Sequence, residues 1–164
     1  MSTVLVTGGG GFIGKEVCKL LLKNNYKVRS FDLIKNPNNR IDSNFNGTIL
    51  DPIEISNAVE GCDYVIHLAA SLGVANTEKN RLECLHINIQ GTLNVLEACV
   101  KHKVKKFIFS SSSEVYGEQL KIPIKENSPL NPKSNYAISK LVGEEYMRAY
   151  SETYNINYNI CRFF

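Results

Sequence analysis

Val4-Leu5-Val6-Thr7-Gly8-Gly9-Gly10-Gly11-Phe12-Ile13-Gly14 is an apolar run, a glycine cluster and the opening of an apolar helix, in that order. Such an order starts a βαβ unit. In this setting glycine permits the tight turn, lets the backbone approach a pyrophosphate, and allows the helix to pack closely on the strand. Gly8, Gly11 and Gly14 hold those positions. The amides of Phe12 and Ile13 then open a helix whose terminus carries about half a positive charge. The segment predicts a cradle for a dinucleotide phosphate.

Working outward, short apolar runs alternate with longer amphipathic ones. The candidate strands are Thr3–Thr7, Lys27–Phe31, Thr48–Leu50, Tyr64–Leu68, Lys106–Ser111 and Tyr158–Cys161, and the candidate helices are Phe12–Asn24, Ile53–Val59, Arg81–Lys101 and Asn135–Tyr154. This alternation predicts an α/β fold, a doubly wound parallel sheet with helices on its faces. In the last helix, Leu141, Glu145, Arg148 and Glu152 form a charged stripe, and Ile138, Val142, Tyr146 and Ala149 a more apolar one. Lys35–Arg40 and the proline-bearing Ile122–Pro132 are predicted loops.

The chain has 164 residues, one domain's worth, with 43% hydrophobic and 21% charged residues and a formal net charge of +3. That charge is too small to argue for a nucleic-acid partner. The basic run Lys101–Lys106 fits a solvated helix end, where cations complement the dipole. Five cysteines (Cys18, Cys62, Cys84, Cys99, Cys161) are scattered without CxxC spacing, which supports neither a disulfide framework nor a zinc site and suits a cytoplasmic location. No leader segment or membrane span is expected. His67, His86 and His102 lie on three different predicted elements and are expected to be ordinary structural or surface histidines.

Asp32 ends the second predicted strand, eighteen residues after Gly14. A carboxylate there can accept from both ribose hydroxyls of adenosine and would repel a 2′-phosphate, which favours NAD over NADP. Tyr136 and Lys140 stand four apart on a predicted helix and so share one side of it. To act as a base near neutral pH, a phenol must fall from about 10 to near 7, roughly 4 kcal/mol. A cation about 4 Å away at an effective dielectric near 20 is worth about that much. Lys140, with the positive nicotinamide of an oxidised cofactor, is sufficient.

The TGxxGxxG spacing at Thr7–Gly14, together with Tyr136 and Lys140, resembles the extended short-chain dehydrogenase/reductases, in particular their NAD-dependent epimerase/dehydratase family. The likeness continues through Asp63–Ala70, Asn88–Ala98 and Ser110–Gly117, and so spans the chain. It implies a Rossmann-like NAD-binding fold, with Leu68, Ala69 and Ala70 lining the cofactor, Asn88 near it, and Lys140 on the nicotinamide ribose. Ser112 would be the hydroxyl that assists Tyr136, with Ser110 and Ser111 nearer the cofactor. Many members carry Asp where Thr48 stands, so the likeness leaves a backbone contact at Ile49 as the adenine contact to expect. Glu114 lies in a Ser-Glu-Val-Tyr-Gly block similar to that of nucleotide-sugar dehydratases and UDP-glucuronate decarboxylases, where the Glu assists chemistry at carbon 5; generic epimerase-like sequences share it.

The resemblance implies oxidation of a sugar 4-hydroxyl, on a nucleotide-linked and most simply a UDP-linked sugar, to a transient 4-keto intermediate that is epimerised, dehydrated or decarboxylated. A homodimer through the Arg81–Lys101 and Asn135–Tyr154 helices is implied as well. Family members are close to twice as long, so residues 1–164 are expected to be the NAD-binding domain without the carboxyl-terminal substrate domain, a fragment with little activity of its own and an unpaired sheet edge. The alternatives are a non-catalytic NAD-binding module and an NADP-dependent reductase of the same superfamily.

Overall fold

The computed structural model describes residues 1–72 and 79–164. Six strands form one sheet: β1 (Thr3–Thr7), β2 (Lys27–Asp32), β3 (Ser43–Asn46), β4 (Tyr64–His67), β5 (Lys106–Ser112) and β6 (Asn157–Phe163). Every pairing is parallel, in the order β3-β2-β1-β4-β5-β6. The chain therefore builds outward in both directions from β1, and the strand order reverses between β1 and β4. Such a switch point opens a crevice at the carboxyl ends of the two strands, the usual place for a ligand in a doubly wound sheet.

The helices are α1 (Phe12–Lys23), α2 (Pro52–Val59), α3 (Arg81–Leu85), α4 (Gly91–Lys101) and α5 (Asn135–Tyr154). Side chains alternate across each strand and feed two separate cores. Leu5, Phe31, Val65, Phe107 and Phe109 pack with Ile55 and Val59 of α2, Val95, Leu96 and Cys99 of α4, and Met147 of α5. Val4, Val6 and Val28 pack instead with Cys18 of α1 and with Ile41. Among the described residues, no helix is long and apolar enough to cross a membrane.

Three expectations change. The third strand is Ser43–Asn46, not Thr48–Leu50. Its sequence, Ser-Asn-Phe-Asn, is poor in β-formers, but an edge strand is held by its backbone, and Asn44 and Phe45 pair with Ser30 and Phe31. Thr48–Leu50 forms the turn before α2, where the Thr48 hydroxyl accepts from the Leu50 amide and Asp51 caps the helix by accepting from Ile53 and Glu54. The helix expected over Arg81–Lys101 is helical throughout but contains a π-turn at His86–Gln90 between α3 and α4.

The third change concerns α5. Its buried side is Ala137, Lys140, Gly143, Glu144 and Met147, whereas Ile138 and Ala149 are exposed and Val142 and Tyr146 half-buried. Periodicity misjudged the face because two charged residues, not aliphatic ones, lie inward. Glu144 is fully buried and takes hydrogen bonds from Arg162 Nε (2.8 Å), Arg162 Nη2 (2.6 Å) and Ser111 Oγ (2.6 Å). Arg162 also donates to the Tyr116 hydroxyl and to the Glu126 carbonyl, joining β6 to α5 and to the loop that follows β5. Burial opposes the charge on Glu144, but the bonds from Arg162 and Ser111 outweigh it and hold the carboxyl below its ordinary value. Removing one partner of a buried pair strands the other charge. Arg162→Met is expected to lower stability by about 3–5 kcal/mol in urea unfolding, and Glu144→Gln, which still accepts from Ser111, by less.

Candidate functional site

A cleft of about 720 Å³ opens at the carboxyl ends of β1, β4 and β5. Its floor begins with the glycine turn. Gly8 has φ +72°, and a Cβ there would lie 2.8 Å from the Ala69 nitrogen; a Cβ on Gly14 would lie 2.0 Å from the Gly8 carbonyl oxygen. Only glycine allows the strand, the turn and α1 to close this tightly. Gly11 is the N-cap of α1 and offers no side chain to the first turn, so the helix end faces the cleft uncapped beside Phe12 and Ile13. An anion placed there would meet free backbone donors.

Asp32 lines the same cleft. Its carboxylate is fixed by two amides, Gly10 to Oδ2 at 2.9 Å and Ile34 to Oδ1 at 3.0 Å, so the glycine turn and the end of β2 orient it together. Thr48 and Ile49 form the neighbouring wall, and the Ile49 carbonyl accepts from the buried Asn94 amide at 2.9 Å. Leu68, Ala69 and Ala70 line the opposite side.

The three serines at the end of β5 are sorted by their partners. Ser110 Oγ donates to the His67 carbonyl at 2.9 Å and Ser111 Oγ to Glu144 at 2.6 Å, so both hydroxyl protons are spent inside the fold. Ser112 Oγ accepts from the Glu114 amide at 3.2 Å, caps the short 3₁₀ turn Ser113–Tyr116, and lines the cleft. Tyr136 and Lys140 also line it, brought there by the first turns of α5, which Ser134 caps by accepting from Ala137. The Lys140 amine donates to the Ser110 carbonyl at 2.8 Å and lies 5.2 Å from the Phe109 ring centre and 5.5 Å from that of Tyr136.

The chain's own residues do not by themselves favour an ionised phenol. The Tyr136 phenol is raised above its ordinary value, first by burial and then by the negative charge of Glu114 and by Cys84. Lys140 is pushed down to about 8 by burial. With the amine turned onto a backbone carbonyl, it does not hold the phenol ionised.

Two predicted site residues stand outside the cleft lining. Glu114 accepts from Ser134 Oγ at 2.9 Å and so belongs to the cap of α5. Asn88 is buried behind the wall: its Oδ1 accepts from the Ser71 amide at 2.7 Å, and its Nδ2 lies 3.0 Å from both the Ser71 carbonyl and Ser139 Oγ. Sequence reasoning missed Phe31, Leu33, Ile87 and Phe163 in the lining, because apolar residues at strand and helix ends carry no chemical signature. His67, expected to be a structural or surface histidine, is a structural one. His67 is buried, lies between Thr7 and Thr92, and is pushed down to about 3 by burial and then by the Lys140 charge. Among the described residues no group of His, Cys, Asp and Glu is placed to hold a metal ion.

The sequence model of the NAD dependent epimerase/dehydratase family matches residues 4–164. A putative UDP-glucose 4-epimerase of Methanocaldococcus jannaschii is 40% identical over 98% of this chain and 54% of its own length. UDP-glucose 4-epimerase from Brucella ovis, solved in complex with NAD, superposes with a TM-score of 0.93 at 32% identity over 100% of this chain and 52% of that one. The Thermotoga maritima UDP-glucose 4-epimerase with UDP-glucose gives a TM-score of 0.92 at 34% identity, covering 98% of this chain and 54% of that one. The chain thus spans about half the length of the relatives it matches.

Lys140 yields a test that needs no ligand. Below its folded value of about 8 both states are protonated and the fold bears the cost of a buried cation; above it the folded state is neutral while the unfolded chain, near 10.5, keeps its proton. Stability contributed at this site therefore rises with pH between about 8 and 10.5. Lys140→Met removes that rise. The difference between the two proteins' unfolding free energies in urea is expected to change across this window, by up to about 3 kcal/mol.

Proposed function

We propose, since this chain belongs to the NAD-dependent epimerase/dehydratase family, that residues 1–164 are its NAD-binding unit and that the whole protein interconverts UDP-sugars in the manner of a UDP-glucose 4-epimerase. One observation carries the reading. The glycine turn, Asp32, Ser112, Tyr136 and Lys140 line a single cleft at the switch point of the sheet.

The geometry supports the following division of labour. The open end of α1 at Phe12 and Ile13 binds the pyrophosphate, Asp32 accepts from the adenosine ribose, and Lys140 donates to the nicotinamide ribose. NAD, when bound, supplies the hydride acceptor and a positive ring near the phenol. Tyr136 takes the proton of the sugar 4-hydroxyl, and Ser112, whose proton is uncommitted among the described residues, donates to the same oxygen. With Tyr136 starting above its ordinary value, the two cations of the loaded site must together draw the proton off. The 4-keto sugar then turns its other face and recovers hydrogen at carbon 4.

Glu114 favours simple epimerisation over dehydration or decarboxylation, because its carboxylate is engaged by Ser134 at the head of α5. The exposed apolar side chains of Leu82, Ile138 and Tyr154 support a homodimer formed through α3–α4 and α5. Five unpaired thiols suit a reducing compartment such as the cytoplasm.

Calorimetry on the chain is expected to show NAD binding at least about tenfold tighter than NADP, with Asp32→Asn narrowing the gap, since the carboxylate repels a 2′-phosphate. In the whole protein, Tyr136→Phe is expected to retain NAD and to lose at least about a hundredfold in turnover of UDP-glucose, read as epimerised product and as transient reduced-nicotinamide absorbance. NAD binding without reduction in the unmutated whole protein would point to a non-catalytic module. A preference for NADP would point to a reductase.

A further inference from the structure

Thr7, His67 and Thr92 form a buried chain of hydrogen bonds whose direction is fixed by chemistry. Thr92 Oγ1 lies 2.6 Å from the Asn88 carbonyl, which can only accept, so the single hydroxyl proton is spent there. Thr92 Oγ1 must therefore accept from His67 Nε2 at 3.0 Å, which puts the imidazole proton on Nε2. Nδ1 is left as an acceptor, and Thr7 Oγ1 donates to it at 2.6 Å. The Thr7 oxygen in turn accepts from the Ala69 amide at 3.3 Å. All four links run one way, from Ala69 to Asn88. Thr7, His67 and Thr92 are at most 2% exposed, so water has no route to replace a broken link.

One end of the chain, Ala69, lines the cleft, and the other, Asn88, lies buried behind its wall. The Ala69 backbone lies so close to the glycine turn that Gly8 has no room for a side chain. Asn88 sits in the π-turn, grips Ser71 through both side-chain atoms, and reaches Ser139, the residue before Lys140. A π-turn displaces one residue from helical register, and the Thr92 bond to the Asn88 carbonyl holds that displacement. The His67 ring is also packed against Phe107 and Phe109, with ring centres 5.8 and 6.0 Å away.

The geometry points to His67 as a positioning residue that, as the neutral Nε2–H tautomer, holds the Ala69 lip and the Asn88 π-turn in one register and so sets the cofactor wall against the helix bearing Tyr136 and Lys140. It touches neither cofactor nor substrate. The functional consequence rests on the cleft being a dinucleotide site, whereas the tautomer and the coupling of Ala69 to Asn88 do not.

Long-range nitrogen–proton NMR of the chain at neutral pH is expected to show His67 protonated on Nε2 and bare on Nδ1; an Nδ1–H tautomer or an imidazolium overturns the proposal. Three variants then separate positioning from packing. His67→Leu can neither donate nor accept, His67→Gln can do both, and Thr7→Val removes the two links made by the Thr7 hydroxyl while keeping the shape. In His67→Leu and Thr7→Val, exchange of the Ala69 amide is expected to quicken by about tenfold and the calorimetric Kd for NAD to rise by about tenfold, the worth of one hydrogen bond. His67→Gln is expected to recover most of both. Should His67→Leu fail to fold, Thr7→Val decides. A folded variant with lowered thermal stability but unchanged exchange and Kd makes His67 a packing residue only and overturns the proposal. If the unmutated chain does not bind NAD, the dinucleotide reading fails, and the tautomer and Ala69 exchange still judge the coupling.

Discussion

The parallel pairing of β1 with β4 is the constraint on which the rest depends. Thr7 stands opposite both Phe31 of β2 and His67 of β4, so the last residue of β1 has a strand on each side and crossovers leaving in opposite directions. The crevice this leaves cannot be filled by either crossover, and the backbone at its floor must turn within a few residues into α1. Gly8 and Gly14 make that possible because the Gly8 carbonyl occupies the space a Cβ on Gly14 would need. Every group proposed to handle the dinucleotide is then placed by a strand end or a helix start around this one gap, and loops contribute little to its precision.

Behind the cleft the protein keeps an unusual amount of polarity out of water. Lys140 and Glu144, one turn apart on α5, are 3% and 0% exposed. Their solutions differ. Glu144 is matched by two donors of Arg162 and one of Ser111, so its charge is satisfied and costly to disturb. Lys140 has a neutral backbone carbonyl and two aromatic faces, enough to seat the amine but not to compensate its charge. Its lowered proton affinity follows from that difference. The carboxylate is built into the scaffold, and the amine remains available to a new partner.

Much of this was legible in the sequence. The glycine spacing, the alternation of apolar runs and the four-residue gap between Tyr136 and Lys140 specify the sheet, its switch point and the two groups proposed for the chemistry, because each depends on local periodicity or on glycine geometry. The failures share a cause. Ser43–Asn46 pairs by backbone alone, and the inward face of α5 carries Lys140 and Glu144. Neither leaves a hydrophobic pattern. Glu114 shows the converse: a residue singled out by motif is drawn to the cap of α5 by Ser134, a partner twenty positions away.

The resting electrostatics bear on how the proposed base would work. A half-buried phenol near Glu114 holds its proton more firmly than a free tyrosine, and Lys140 is turned toward Ser110. Lowering the phenol from above 10 to near neutrality takes more than the roughly 4 kcal/mol that one nearby cation supplies at an effective dielectric near 20. Two positive charges suffice where one does not: the Lys140 ammonium and the ring of an oxidised nicotinamide. The base would then form only when the cleft holds the oxidised cofactor, the state in which abstracting a proton from a sugar hydroxyl leads to hydride transfer. On this proposal the partial burial of Tyr136, which by itself weakens it as a base, would tie its ionisation to the loaded site.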